Sequence, residues 1–194
     1  MSPLEAREGM RMRRTLERVD AKDGFVEVIR FENDLAVTDF KHGPDQKRLC
    51  ADCHNFNRNL SCPPFSPGFS KYVGPAGRAR VICLRLPLDR FATGTPVERA
   101  QAAFRLGSAH LNRILLKARR KGHLVAGSGE CRACDSCAAA GGDPECVRPD
   151  LRIYSLESLG VQVADLVAKC FDLDLQWTAK GRPATTVSAV GAIF

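Results

Sequence analysis

ARVICLRLPL, residues 79 to 88, is the stretch on which the fold turns. It is rich in β-branched and apolar residues and reads as a strand. Immediately downstream, PVERAQAAFRLGSAHLNRILLKARRKG (96–122) reads as one long helix. Thr95 or Thr93 is placed to cap it, Pro96 suits its first turn, and Gly122 ends it. Ala103, Phe104, Leu106, Leu111, Ile114 and Leu115 supply its core stripe. HLVAG (123–127) then reads as a short strand. A strand, a helix and a strand in succession imply a helix packed on a sheet.

Working outward, GFVEVIRF (24–31) alternates apolar and polar residues with period two, and LAVTDF (35–40) follows after ENDL. Together they suggest a hairpin. FSKYV (69–73) reads as one helical turn. Residues 153–171 read as helix, interrupted near Gly160, and DLQW (174–177) and TTVSAVGAIF (185–194) as closing strands. Residues 1–20 carry a charged, weakly amphipathic helix pattern (3–19), peripheral and basic. The expected fold class is an α/β (or α+β) single-domain sandwich over residues 1–194, a mixed sheet with helices packed on it. Two cysteine-rich loops, 49–67 and 128–149, interrupt the pattern. Each follows an expected strand, so one sheet edge can present both.

Composition narrows the class. The chain of 194 residues is 44% apolar and 26% charged, ordinary for a globular protein. No apolar run has the length of a membrane span, and the basic N-terminus lacks the apolar core of a secretory signal. The expected location is therefore cytoplasmic, with no membrane partner. There, nine cysteines, seven of them clustered in two loops, point to metal or reactivity rather than disulfides. The net charge of +7 invites a nucleic-acid reading, but the basic residues are scattered. The one dense run, LLKARRKGH (115–123), ends a helix, where the dipole favours cations. No nucleic-acid partner is expected. Bound clusters would lower the charge to about +4, leaving a face that attracts a small anionic substrate or an anionic partner.

The second loop reads C131-x2-C134-x2-C137-x8-C146. A tight triplet of this spacing wraps one corner of an iron–sulfur cubane, whereas zinc ribbons use widely separated pairs. The first loop reads C50-x2-C53-x8-C62-Pro63-Pro64. Proline beside Cys62 fixes φ and removes a donor, holding an irregular loop open. His54, beside Cys53, is a fourth candidate ligand should this loop hold zinc. Cys50, Cys53, Cys62, Cys131, Cys134, Cys137 and Cys146 are thus the candidate ligands of one or two [4Fe-4S] clusters, with zinc as the other occupant of one site. In one arrangement Cys131, Cys134, Cys137 and Cys146 hold a complete cluster, and Cys50, Cys53 and Cys62 hold a second with an open iron. In an interleaved arrangement, Cys62 completes the 131/134/137 cluster.

A saturated cluster moves electrons, while an open iron is a Lewis acid. Groups near the first loop that would tune it are His54, Asn57 and Arg58; near the second, Glu130 and Arg132. Cys83 in its apolar strand and Cys170 beside Phe171 read as small core hydrophobes. Phe56 and Trp177 read either as core or as the gate of a pocket. The CPPFSP stretch (62–67), the CRACDSC run (131–137) and the surrounding order of elements resemble the DUF2284 family, from about residue 24 to the C-terminus. The resemblance implies metal or iron–sulfur binding by the seven loop cysteines; the N-terminal helix and GGDPEC (141–146) would be local variations. The expected function is an electron carrier or accessory protein to a partner redox protein. The alternatives are an enzyme using an open-iron cluster for dehydration or sulfur transfer on a small molecule, and a zinc-stabilised binding module.

Overall fold

A computed structural model describes residues 12–21, 24–91, 93–177 and 183–194. Its elements are β1 (Arg13–Ala21), β2 (Gly24–Ala36), α1 (Pro44–Arg48), α2 (Phe69–Val73), β3 (Arg78–Pro87), α3 (Pro96–Arg119), β4 (Val125–Gly127), β5 (Tyr154–Ser155), α4 (Val163–Phe171) and β6 (Thr186–Ile193). The strands form one mixed sheet in the order β1-β2-β3-β6-β4-β5. All neighbours are antiparallel except the β4–β5 pair. The last strand of the chain therefore fills the gap between β3 and β4, and α3 carries the chain across that gap.

Strand β3 is buried on both faces, which explains its nearly unbroken apolar sequence. Ala79, Val81 and Cys83 join one core cluster with Leu166, Val167 and Phe171 of α4. Ile82, Leu84 and Leu86 join the other, with Ala103, Leu111 and Leu115 of α3. Leu111 and Leu115 are fully buried, and each contributes roughly 2 kcal/mol by leaving water. Helix α3 lies close on the sheet because Gly107 faces it: a Cβ there would meet Leu86 Cδ1 at 2.7 Å. Its start is the expected Thr95. Thr95 Oγ1 accepts from the Glu98 N–H at 3.3 Å, and the Glu98 carboxylate accepts from the Thr95 N–H at 2.7 Å. Within the expected stripe, Phe104, Leu106 and Ile114 are half-buried rather than core, and Gly107 and Ser108 are buried in their place.

Four sequence expectations change. RRTLERVDA (13–21) is strand β1, not helix; the rest of the helix expected over 3–19, residues 3–11, lies outside the described residues. Pairing with β2 runs from Arg13↔Glu32 to Ala21↔Gly24, and Glu17, Val19 and Ala21 turn inward on alternate positions. The hairpin is thus β1–β2. LAVTDF is not its second arm, because β2 runs on to Ala36 and bends into a 3-10 turn at Val37–Asp39. Residues 153–171 split into β5, a turn and α4, with Gly160 at φ +94° in the turn. DLQW forms no strand; instead Gln176 Oε1 accepts from Thr185 N–H at 2.9 Å and Thr186 N–H at 3.2 Å, tying the segment to the start of β6. Among the described residues no helix is long and apolar enough to cross a membrane.

Candidate metal centre and its two cavities

The first cysteine loop follows the 3-10 turn and α1 rather than a strand. It advances by tight turns: the Cys53 N–H donates to the Cys50 carbonyl at 3.0 Å and the Cys62 N–H to the Asn59 carbonyl at 2.8 Å. Asn57 takes φ +55°, a conformation Asn tolerates, and its N–H reaches the Pro63 carbonyl at 2.9 Å. Stitches to the β5–α4 turn hold the loop down. Ser66 Oγ donates to the Ser158 carbonyl at 2.7 Å, and the Gly43 N–H to the Gly160 carbonyl at 2.9 Å.

The second loop leaves β4 and lies directly against the first. Asn59 and Ser61, both buried, form the seam. Asn59 Oδ1 accepts from Ser61 N–H at 3.0 Å and Ser61 Oγ at 2.8 Å. Asn59 Nδ2 donates to the Cys131 carbonyl at 3.4 Å, and Ser61 Oγ accepts from the Cys131 N–H at 3.3 Å. Glu130 makes a second bridge, its Oε2 accepting from Asn55 Nδ2 at 2.7 Å and its Oε1 lying 3.2 Å from the Arg132 guanidinium. At the far end, Arg119 of α3 donates to the Pro149 carbonyl at 3.1 Å and to the Arg152 carbonyl, fixing the loop's exit.

The seven thiols sort onto two cavities. Cys131, Cys134, Cys137 and Cys146 line a small one of about 20 Å³, closed by Asn59, Leu60 and Ser61. Cys50, Cys53 and Cys62 line a wide one of about 520 Å³, together with Phe104, Glu130, Arg132 and Glu157. Cys62 thus faces the cavity of its own loop. None of the seven forms a disulfide. Among the described residues, no three His, Cys, Asp or Glu side chains close tightly enough around one point to be a formed ion site. The fit to a metal rests on the donor set: free thiols gathered four and three, with a backbone donor in place. The Leu60 N–H donates to Cys137 Sγ at 3.3 Å, the kind of bond that stabilises a ligating thiolate. Burial pushes the Cys62 thiol up to about 12, and burial followed by the charge of Cys53 pushes Cys50 up. Such thiols keep their protons at neutral pH until a metal's charge displaces them.

The remaining candidates fall as follows. His54 lines the wide cavity, but its ring is 82% exposed and bonds to Asn55 at 3.0 Å. Asn57 shapes the loop backbone, and Arg58 is exposed. Cys83 and Cys170 are buried in the core, as expected, with burial raising their thiols to about 11 and about 12. Phe56 and Trp177 are exposed rather than core and line cavities. Sequence reasoning passed over three residues. Asn59 and Ser61 carry a signal in their Asn-x-Ser turn pattern just before Cys62. Glu157 carries one as a lone carboxylate in the apolar stretch YSLESL; burial raises its pKa against the opposing pull of its own backbone N–H and Ser155, and its Oε2 is buried without a partner.

An α+β fold with two adjoining loops of free thiols defines a cysteine-rich protein of metal-binding type. The chain belongs to the DUF2284 family, described as predicted metal-binding proteins, whose family model matches residues 34–194. The match starts near the end of β2, so β1 lies outside it. No curated protein and no solved structure matches the chain.

Proposed function

We propose that this protein is a cytoplasmic iron–sulfur protein with two unequal centres. Cys131, Cys134, Cys137 and Cys146 would hold a saturated one, suited to passing electrons to a partner redox protein. Cys50, Cys53 and Cys62 would hold the other with one position left to a small molecule. The four-and-three sorting of thiols onto separate cavities carries this reading, because the three-thiol cavity, at about 520 Å³, has room for both a cluster and a ligand. A cluster bound there would supply Lewis acidity at its open iron. The chain supplies the rest: Asn59 and Ser61 hold the loops in register, while Arg105 and Arg132, balanced by Glu130 and Glu157, give the cavity a polar lining. This favours the open-iron enzyme over a carrier alone.

A second reading has one supporting observation. The four-thiol cavity, at about 20 Å³, is nearer to the size of a single ion than of a cubane, as structural zinc in a four-cysteine site would require. Anaerobic purification followed by iron, acid-labile sulfide and zinc analysis separates these. Two cubanes bring about eight irons per chain. With one zinc and about four irons, Cys134→Ser decides the placement: zinc released alone assigns zinc to the four-thiol site, and iron released alone assigns the cubane there. Zinc without sulfide would sink the iron–sulfur reading altogether.

A further inference from the structure

Beside the three-thiol cavity lies a mostly apolar one of about 290 Å³, the lower end of the size range of small-molecule sites. Ala100 and Phe104 of α3, Val187 and Val190 of β6, and Leu175 and Trp177 from the segment after α4 form its walls. The Gln176 bonds to Thr185 and Thr186 hold that segment in place. Gln101, Phe104 and Glu157 line both cavities, so the two spaces adjoin across them. Among the described residues no lysine, arginine or histidine lines the apolar cavity, and Glu157 is the one charged residue of its described lining. Oε2 of that carboxyl is buried with no hydrogen-bond partner, an arrangement rare in native proteins unless a ligand or water completes it.

We infer that the apolar cavity binds a small neutral alcohol with an apolar skeleton, its hydroxyl on the Glu157 carboxyl and facing the three-thiol cavity. A hydroxyl both donates and accepts, so it satisfies Oε2 whichever protonation state the carboxyl holds. An anion would find no counter-ion among the described walls, a cation would have to shed its water against mostly apolar ones, and a hydrocarbon would leave Oε2 unpaired. That the hydroxyl meets an open coordination position rests on the proposed function. The cavity and its carboxyl do not need it.

Trp177 is the sole tryptophan and stands in the cavity wall, so its indole N–H resonance reports occupancy. Titrating the purified protein with cyclopentanol should shift that resonance saturably, with cyclopentane binding about tenfold more weakly, the effect of one lost hydrogen bond at a buried group. Glu157→Leu should erase this preference. Ala100→Phe should fill the cavity and abolish binding with iron and sulfide content unchanged; if that variant does not fold, Glu157→Leu decides alone. No saturable shift, or a cyclopentanol preference intact in Glu157→Leu, overturns the inference. Electron paramagnetic resonance of the reduced protein keeps the two ideas apart. A signal moved by cyanide with no cyclopentanol binding leaves the open iron standing and the alcohol site refuted. Cyclopentanol binding with a signal that neither compound moves leaves the alcohol site standing and the open iron refuted.

Discussion

Gly160 couples backbone conformation to the first cysteine loop. It sits at φ +94°, where a side chain is strained, and a Cβ there would lie 2.8 Å from the Gly43 carbonyl oxygen. The obstacle is backbone, so it cannot rotate away. Gly160→Ala should therefore cost about 2–3 kcal/mol in denaturant unfolding, and it should loosen the loop that Gly43 anchors. The cysteines differ in kind. If the thiols bind as they are sorted, Cys62→Ser removes metal from the three-thiol site and leaves the four-thiol site loaded. Loss of both centres in that one variant would restore the interleaved arrangement. Cys83→Ala, deep in β3, should cost about 1 kcal/mol and leave metal content untouched; iron lost with it would overturn the structural role of that thiol.

At the scale of elements, the seam between the loops matters more than either loop. Asn59 orders Ser61, and both then grip Cys131. Asn59→Ala strands the Cys131 carbonyl and leaves Ser61 unorganised, so it should cost about 1–2 kcal/mol. Metal should also leave the four-thiol site faster on chelator challenge, although no ligand has changed. Release rates equal to wild type would show that the second loop holds itself. This seam was hidden from the sequence because it depends on contacts across about 70 positions, whereas cysteine spacing is local. Elements whose pattern is local and strong were legible for the same reason: β3, α2, β6 and the Thr95 cap. Strand β1 was not. Its Arg and Glu residues are good helix formers, and only pairing with β2 and the inward turn of Val19 make it a strand. Phe104 fits a helical core stripe equally well whether it meets core or cavity, so periodicity cannot separate the two.

For the molecule as a whole, the polar cluster that ties the β1–β2 hairpin to α3 sets a dependence on pH. Glu17 Oε2 accepts from His110 Nε2 at 2.7 Å, and Glu17 Oε1 from Arg30 at 3.0 Å; Arg30 also pairs with Glu32. Burial alone would push the Glu17 carboxyl up, but the hydrogen bonds from His110 and Arg30 outweigh it and hold the carboxyl below its ordinary value. A carboxyl depressed in the folded state binds its proton more readily when unfolded. Its stabilisation is therefore fully present above the unfolded value, about 4.3, and is lost as pH falls through the lower native value. Glu17→Gln should be less stable than wild type at pH 7 by about 1–2 kcal/mol, a modest figure because the group is partly exposed and Arg30 keeps Glu32. Because the variant cannot titrate there, the gap between the two proteins should close on acidification below about pH 4.3, as wild type loses the same bonds. Urea unfolding of both proteins from neutral to acid pH measures that gap directly. A gap that stays constant through the acid range would mean that the ionised Glu17 carboxylate does not hold the hairpin to α3.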